Sequence, residues 1–361
     1  MRGDAASALA QIALGASANC RQPRRCYGDV KTKRVLVTGA SGFIGRPLVA
    51  ALFRAGYAVR AVTRRPISFP GSVDVAFVPD FKNSVDWTPI LQGIDIVVHL
   101  AGLTHADSRD SNFAEYDQVN WLTTLQLARA AKDVGVDRFV LISSVRAQVG
   151  PSAAQIVNEE DEPHPTDDYG RSKLAAEMAV RSEGLPFTIL RPVVVYGPHS
   201  KGNIKRLVRL GSLPLPLPFK GFTNRRSLLG LDNLIATISF VLNNETTVGE
   251  TFLVADPMPL TLPEILTMLR KAQGRTPRLV YAPAILVQLA LRLLGRTHLW
   301  ERISESLVVD TSKLESLGWR PTVGTYEGFV AMMRADAGES LRTDESISRP
   351  TVPPSTPTPE T

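Results

Sequence analysis

Apolar positions along this chain follow two alternating patterns. Short apolar runs, typical of strands buried in a sheet, are followed by longer stretches in which apolar residues recur every three or four positions, as on one face of a helix. The predicted strands cover residues 34–38, 57–62, 73–78, 94–99, 138–143 and 187–191. The helical stretches 43–55, 112–134 and 169–182 are long enough to connect parallel strands. The pattern therefore predicts an α/β fold with a doubly wound parallel sheet, whose ligands bind beyond the carboxyl ends of the strands.

A second region begins after residue 192, where Tyr196-Gly197-Pro198 and the proline-rich segment 213–218 interrupt the alternation. Helical patterns follow at 203–210, 231–242, 262–273, 283–294 and 326–334, with one strand at 251–254 that is expected to return to the sheet. The sequence thus predicts a nucleotide-binding domain over 33–192 and a smaller, mostly helical substrate lobe over 193–336.

The two ends of the chain have a different character. Residues 1–32 are predicted to be a flexible extension. They resemble a secretion signal only weakly, because Asp4 reduces the positive charge at the start and Gln11 interrupts the apolar stretch. Residues 337–361 are rich in proline and poor in apolar side chains, which predicts a disordered tail. No apolar run reaches the length of a transmembrane helix. The apolar stretch 282–294 is predicted to be a packing helix, with contact to a membrane surface as the alternative.

Composition narrows the class of protein. The chain has 361 residues, of which 44% are hydrophobic and 21% charged, as expected of a globular protein. Its net charge of +6 comes without a long basic block, which favours small anionic ligands over nucleic acid. Cys20 and Cys26 are the only cysteines and both lie in the extension, so a reducing, cytoplasmic location is expected. The five histidines lack metal-ligand spacing, and no metal is predicted.

A glycine-rich turn follows the first strand. Thr38-Gly-Ala-Ser-Gly-Phe-Ile-Gly45 joins the apolar run Val35–Val37 to an amphipathic helical pattern. Glycines at Gly39, Gly42 and Gly45 let a pyrophosphate approach the backbone N–H groups at a helix start. This context, strand before and helix after, predicts a dinucleotide site.

A second motif, Tyr169-Gly-Arg-Ser-Lys173, contains residues that could take part in catalysis. Tyr169 and Lys173 are four residues apart and share one helix face, so the ammonium is expected to lower the pKa of the phenol and make it a usable base. The strand 138–143 leads directly to Ser143-Ser144 at the sheet edge where a cleft forms. Together these residues form a set able to shuttle a proton.

With both motifs present, the chain resembles the extended short-chain dehydrogenase/reductase family over about residues 33–335. The resemblance implies a Rossmann-type sheet and a catalytic set of Ser144, Tyr169 and Lys173, with Ser143 as the alternative serine. It also implies a cofactor site in which Tyr169 and Lys173 are joined by a larger group of residues: Gly39, Ser41, Gly42, Phe43, Ile44, Gly45, Leu100, Ala101, Gly102 and Asn120.

The same resemblance implies a site for a sugar nucleotide. Arg226 corresponds to an arginine that grips the diphosphate, for which a guanidinium fork is well suited. Asn203 occupies the place of a residue near that diphosphate, or else it caps the helix that follows. Arg146 and Gln148 would line the sugar side of the cleft.

The second predicted strand bears on the cofactor. Family members that prefer NAD end this strand with an acidic residue, whereas here it ends at Thr63-Arg64-Arg65. Because Arg64 and Arg65 would accept a 2′-phosphate, NADP is favoured over NAD. Asp80 is expected to approach the adenine.

The residues after the serine bear on the reaction. Dehydratases of this family carry acidic residues there, and this chain has Val145 and Arg146. The resemblance, closest to bacterial enzymes that tailor UDP-N-acetylhexosamines for surface polysaccharides and O-antigen precursors, implies a 4-epimerase or 4-keto-reductase of a UDP-hexose or UDP-N-acetylhexosamine. A non-catalytic NAD(P)-binding sensor or scaffold, and a reductase of a small aldehyde or ketone, are the alternatives. A homodimer formed through helices 112–134 and 169–182 is expected.

Overall fold

Seven strands form one parallel sheet in the order β3-β2-β1-β4-β5-β6-β10. The computed structural model describes residues 32–78, 80–81, 83–104, 113–293, 295, 300 and 304–347. The strands are β1 Arg34–Thr38, β2 Ala58–Thr63, β3 Asp74–Phe77, β4 Ile96–His99, β5 Arg138–Ile142, β6 Phe187–Pro192, β7 Val194–Tyr196, β8 Arg225–Arg226, β9 Leu228–Gly230, β10 Glu250–Val254 and β11 Leu260–Thr261. The doubly wound, Rossmann-type α/β fold predicted from the sequence is confirmed.

The helices cover both faces of the sheet and build most of the remaining lobe. They are α1 Gly45–Arg54, α2 Thr88–Leu91, α3 Phe113–Tyr116, α4 Thr123–Asp133, α5 Asp168–Glu183, α6 Gly202–Ser212, α7 Leu231–Leu242, α8 Leu262–Ala272, α9 Ala284–Leu293, α10 Ser312–Ser316 and α11 Thr325–Ile347. Among the described residues, every helix lacks either the length or the apolar character that crossing a bilayer requires.

The register of β1, β4 and β5 brings the loops that follow these strands to one edge of the sheet. Thr38 at the end of β1 pairs with His99 at the end of β4, and His99 pairs with Leu141 of β5. All five residues of β5 are buried, because helices cover both faces of the sheet. The glycine turn, the loop after β4 and the two serines after β5 therefore leave the sheet side by side.

The lobe after residue 192 is tied to the sheet. β10 pairs in parallel with β6, at the place where the sequence predicted a returning strand. Two small sheets, β7 with β9 and β8 with β11, lie outside the main one. The described residues from Lys33 onward belong to one compact unit.

Two elements differ from the sequence prediction. The expected helix 112–134 is interrupted by a π-helical segment, Asp117–Leu122, between α3 and α4. α11 continues to Ile347, past the predicted end at 334 and into the stretch assigned to the tail. Residues 1–31 of the predicted extension 1–32, with both cysteines, and residues 348–361 of the predicted tail lie outside the described residues.

Candidate active site

The glycine turn fits tightly between β1, β4 and the start of α1. Gly39 has a positive φ of 66°, and a Cβ there would lie 2.9 Å from the backbone nitrogen of Ala101. A Cβ on Gly45 would come within 2.2 Å of the Gly39 carbonyl oxygen. Both positions require glycine for steric reasons, independent of any ligand.

The start of α1 has the features of an anion site. Its N-cap, Ile44, makes no side-chain capping bond, and the first turn carries no acidic residue. By contrast, α5 is capped by Asp167 and α8 by Thr261. An uncapped helix start behind a glycine turn presents N–H groups that a diphosphate would satisfy. The residues present therefore fit the pyrophosphate of a dinucleotide.

A buried histidine fixes the loop that faces this turn. Thr38 accepts hydrogen bonds from the N–H groups of Leu100 and Ala101, each at 3.2 Å, and so donates to Nδ1 of His99 at 2.7 Å. Thr124 donates to the carbonyl oxygen of Asn120, and accepts from Nε2 of His99 at 2.9 Å. Burial, followed by the charge of Lys173, lowers the pKa of His99 to about 3. His99 is thus a neutral positioning residue that carries its proton on Nε2.

Asn120 joins the same loop to the tyrosine helix. Its side-chain oxygen accepts from the N–H of Leu103 at 2.7 Å, and its amide donates to Ser172 at 3.0 Å. A Cβ on Gly102 would lie 2.8 Å from that amide oxygen and 3.2 Å from Nζ of Lys173. The predicted cofactor residues Gly102, Asn120 and Lys173 are therefore packed together, with Asn120 holding the loop through hydrogen bonds.

Ser144 and Tyr169, two of the predicted catalytic residues, are in contact. Their side chains are hydrogen bonded, and this bond lowers the phenol pKa. Ser144 also accepts from the N–H of Arg146 at 3.1 Å, which fixes its side chain at the start of a short 3₁₀ turn. Tyr116 packs edge-on against Tyr169, with ring centroids 6.0 Å apart.

Ser143, the alternative serine, is used elsewhere. Its hydroxyl donates to Glu177 at 2.5 Å. Ser143 is therefore directed to Glu177, two turns further along α5, while Ser144 is the serine bonded to Tyr169. The geometry favours Ser144.

Lys173 lies one helical turn after Tyr169. Its ammonium donates to the carbonyl oxygen of Ile142 at 3.1 Å. Burial lowers the pKa of Lys173 to about 8, while the negative charge of Glu177 acts against this shift. Lys173 therefore remains largely protonated at neutral pH.

The expected effect of Lys173 on the phenol is not what the structure shows. Burial raises the pKa of Tyr169 to about 12, and the groups that oppose this rise are Ser144 and Arg146, without Lys173. The ammonium is instead directed to the Ile142 carbonyl. The residues of the chain alone thus keep Tyr169 as a neutral phenol, and the lower pKa expected from Lys173 together with an oxidised nicotinamide stays a prediction.

The residues after the serine also differ from expectation. Arg146 pairs with Asp167, the residue that caps α5, and so links the serine turn to the start of the tyrosine helix. Gln148, expected to line the sugar side, is buried; its amide bonds Arg191 and the carbonyl oxygen of Asp161. Arg146 therefore remains a candidate for the cleft, whereas Gln148 belongs to the core.

The predicted substrate residues lie in the second lobe. Arg226 is on β8 and donates to the carbonyl oxygen of Pro151 at 3.3 Å, which places it beside the segment following the serine turn. Asn203 is an exposed residue in the first turn of α6. The N-cap of α6 is Lys201, so the alternative that Asn203 caps this helix is wrong.

The residues predicted around the adenosine lie near the end of β2. Arg64 and Arg65 follow β2 directly and are exposed. Asp80 lies beyond β3, the neighbour of β2, and is partly buried. Ser41 is exposed in the glycine turn, while Phe43 and Ile44 are half-buried behind it.

Sequence reasoning missed a buried ionic cluster behind the catalytic set. Glu177 lies one turn after Lys173 and accepts from Arg191 Nη2 at 2.6 Å and Nε at 2.9 Å. A carboxylate on the buried face of a helix, together with an arginine inside an apolar strand, was the available signal. This pair holds α5 against β6.

The chain is similar to known proteins in sequence and in fold. The family model described as "NAD dependent epimerase/dehydratase family" matches residues 35–255. A UDP-glucose 4-epimerase from Vibrio cholerae is 33% identical over 315 residues, covering 84% of this chain and 96% of that protein. The structure of MoeE5 in complex with UDP-glucuronic acid and NAD is similar with a TM-score of 0.68 at 28% identity, covering 85% of this chain and 99% of that one.

A second structure, UDP-glucuronic acid 4-epimerase from Bacillus cereus in complex with NAD, has a TM-score of 0.67 at 25% identity, covering 85% of this chain and 99% of its own. The family match spans more than half of this chain, and the Vibrio relative is similar along almost its whole length. The chain is therefore an enzyme of the NAD-dependent epimerase/dehydratase family, within the extended short-chain dehydrogenases/reductases.

Proposed function

We propose that this enzyme is a 4-epimerase of a UDP-hexose or UDP-N-acetylhexosamine. The observation that carries the proposal is the hydrogen bond between Ser144 and Tyr169, with Lys173 one turn further along the same helix. Relatives whose names specify UDP-glucose or UDP-glucuronic acid 4-epimerases support the reaction. Val145 and Arg146 after the serine supply no acid for a dehydratase.

The dinucleotide would be held by the glycine turn Gly39–Gly45, by Leu100–Gly102 and by Lys173. When bound, its nicotinamide supplies the acceptor and donor for the C4 hydride and, when oxidised, a positive charge near the phenol. The side chain of Tyr169 accepts the proton of the 4-hydroxyl as a phenolate, and returns it to the 4-keto oxygen as a phenol. Ser144 shares this hydrogen bond and orients the sugar oxygen. With the cofactor bound, the positive charges of Lys173 and of the oxidised nicotinamide would together stabilise the phenolate against the effect of burial.

The diphosphate of the substrate would be held by Arg226, with Asn203 and Arg146 nearer to the nucleotide and the sugar respectively. Arg226 already donates to the carbonyl oxygen of Pro151, so its guanidinium lies beside the chain that follows the serine turn. A planar guanidinium can bind two phosphate oxygens at once.

The test is conversion of UDP-glucose and UDP-N-acetylglucosamine to their C4 epimers by purified enzyme, followed by proton NMR. Tyr169→Phe is expected to lose at least about a thousandfold in kcat, since it removes the shuttled proton. Tyr57→Phe is the matched control, because its hydroxyl bonds Asn243 in a different part of the fold. Normal turnover by Tyr169→Phe would refute the assignment of the proton carrier.

One observation favours a second candidate, an NADPH-dependent 4-keto-reductase. β2 ends at Thr63 and is followed by the exposed Arg64 and Arg65, without a carboxylate for the ribose hydroxyls of NAD. Stoichiometric NADPH consumption with a 4-keto sugar nucleotide would support the reductase. Epimerisation without added cofactor, with NAD retained through purification, would support the epimerase. Arg64→Ala/Arg65→Ala is expected to weaken NADP binding and leave NAD binding unchanged if the arginines read the 2′-phosphate.

We further propose that the enzyme is a homodimer formed through α4 and α5, that it acts in the cytoplasm and that it serves surface polysaccharide or O-antigen precursor synthesis. Met178 supports the interface, because it is a large apolar side chain exposed on α5. Light scattering of Met178→Glu tests the dimer, and an unchanged mass would place the interface elsewhere.

A further inference from the structure

Exposed apolar side chains are concentrated in the C-terminal lobe, far along the sequence from the catalytic set. Of the sixteen large hydrophobic residues that are exposed in the described part of the chain, eight lie within 213–215 and 280–293. We call these eight the apolar patch: Leu213, Leu215, Val280, Tyr281, Ile285, Leu286, Leu289 and Leu293. Patches of this kind mark interaction surfaces.

Backbone hydrogen bonds hold the two segments side by side. Leu217 donates to the carbonyl oxygen of Arg278 at 3.1 Å, and Val280 donates back to Leu217 at 3.0 Å. Lys220 donates to the carbonyl oxygen of Val280 at 3.1 Å. Arg270, itself buried, donates to the carbonyl oxygens of Leu213 and Leu215 in the first segment and of Pro277, three residues before the second. The segments therefore form a fixed surface, and α9 begins only four residues after Val280.

α9 is apolar on two sides. Val287 is buried in the core of the lobe beside Leu217, Phe222 and Leu266. Ile285, Leu286, Leu289 and Leu293 recur at helical spacing on the opposite side, with exposed fractions between 52% and 80%. Among the side chains of α9 that the structure describes, Val287 is the one buried in the core of the lobe. The outer face of α9 has the composition of a helix that lies in an interface.

The charge around the patch is one-sided. Residues 201–230 and 265–293 hold twelve of the 41 lysines and arginines and none of the 35 acidic residues, so the rest of the chain has a net charge of −6. Ten of the twelve are exposed. Lys220 and Arg278 directly adjoin the patch, and Arg292 lies within α9 between two of its exposed leucines. A surface of leucines and a tyrosine with cations at its edge is complementary to a lipid bilayer, in which an apolar layer lies beneath anionic headgroups.

We infer that this surface, the outer face of α9 with residues 213–215 and 280–281, docks the enzyme onto an anionic lipid bilayer. The apolar side chains would enter the headgroup region while Lys220, Arg278 and Arg292 remain at the level of the phosphates. This inference is independent of the proposed substrate, because none of these residues belongs to the catalytic set or the dinucleotide site.

The experiment is co-sedimentation of the full chain with phosphatidylcholine vesicles, with and without 30 mol% phosphatidylglycerol. We expect binding to the anionic vesicles that weakens as salt is raised from about 0.1 to about 0.5 M, because salt screens the cationic contribution. Ile285→Ser/Leu289→Ser should weaken binding at least about tenfold. Lys220→Glu/Arg292→Glu should weaken it by about fivefold or more for each charge.

The matched control is Val75→Ser/Phe77→Ser, which removes two exposed apolar side chains from the edge strand β3 and should leave vesicle binding unchanged. Circular dichroism and turnover of a soluble UDP-sugar confirm that each variant is folded. The inference would be overturned if the wild-type enzyme bound neither type of vesicle. The inference would also be overturned if light scattering showed a dimer that Ile285→Ser/Leu289→Ser converts to a monomer while vesicle binding stays unchanged. The patch would then bind a second copy of this chain and not a bilayer.

Discussion

Removing the charge of Glu177 tests whether the buried cluster behind the catalytic set is structural as well as electrostatic. The side chains of Glu177 and Arg191 are only 1% and 5% exposed, and they are joined by bonds of 2.6 and 2.9 Å. Glu177→Gln keeps the shape and one acceptor but leaves Arg191 buried without a counter-charge. Breaking a buried pair in this way costs about 3–5 kcal/mol.

Urea denaturation followed by tryptophan fluorescence measures this loss. The double variant Glu177→Gln/Arg191→Met should recover much of it, because it no longer buries an unpaired charge. Arg129→Ala is the control for an exposed pair: Arg129 is 63% exposed beside Glu183, and its removal should cost less than about 1 kcal/mol. A loss below about 1 kcal/mol for Glu177→Gln would refute the reasoning.

The same variant has a kinetic signature that a purely structural role would not produce. Glu177 is the group that opposes the lowering of the Lys173 pKa, so its removal should shift that pKa below about 8. Lys173 would then lose its proton at lower pH, and the alkaline limb of the kcat profile should move toward neutrality. An unchanged limb would show that Glu177 does not act through Lys173.

Three further outcomes follow from the structure. Gly45→Ala should abolish measurable NAD binding in calorimetry, since its Cβ would lie 2.2 Å from the Gly39 carbonyl oxygen, whereas Gly338→Ala has no neighbour within 4 Å and should bind normally. Burial lowers the pKa of His99 from 6.5 to about 3, so the unfolded state binds more protons between these pH values and the free energy of unfolding falls as pH drops through this window. His99→Gln should make the free energy of unfolding, measured by denaturation at stepped pH, depend less on pH, and an unchanged dependence would contradict a buried, neutral His99. Arg270→Lys should lower the free energy of unfolding in urea by at least about 2 kcal/mol, because one ammonium cannot replace a planar guanidinium that donates to five carbonyl oxygens. A smaller loss would show that those hydrogen bonds are dispensable.

The seven strands of the main sheet were predictable because each is a short, mainly apolar run, whereas β7, β8, β9 and β11, of two or three residues each, are too short to give a pattern. β1 was placed at 34–38 from the sequence and found there, since the glycine turn fixes where it stops. β2 differs from its predicted bounds by one residue at each end, β6 by one residue at its end and β4 by two at its start, which is the usual uncertainty of boundaries read from a pattern. The parallel order of the strands followed from the helices between them.

The π-helical segment could not be predicted. Asp117–Leu122 has the same apolar spacing as the helices on either side, so the pattern continues through it unchanged. What sets it apart is tertiary: Asn120 is held by the loop after β4 and by Ser172, and Thr123 donates to the carbonyl oxygen of Phe81. Such segments occur where a side chain must be aimed at a site, and here it is Asn120.

The candidate site was predicted as a set of residues but not as an electrostatic arrangement. Tyr169, Lys173 and Ser144 are recognisable by type and spacing. The directions of their pKa shifts depend on burial and on groups that the fold brings close, such as Arg146 beside Tyr169. Gln148 illustrates the limit, because a polar residue after the serine looked suited to the cleft and is instead bonded to Arg191 in the core.

One helix face organises the whole site, and this explains why α5 and β5 must keep their register. Tyr169, Lys173 and Glu177 are spaced four residues apart on α5, and each contacts a different point at the end of β5: Ser144, the Ile142 carbonyl and Ser143. A shift of one residue between the two elements would break all three contacts at once. Because Arg191 binds Glu177 and Arg146 binds the cap of α5, both ends of that face are tied to the sheet or to the serine turn. The hydrogen bond between Ser144 and Tyr169 is therefore secured by the ion pairs Arg191–Glu177 and Arg146–Asp167.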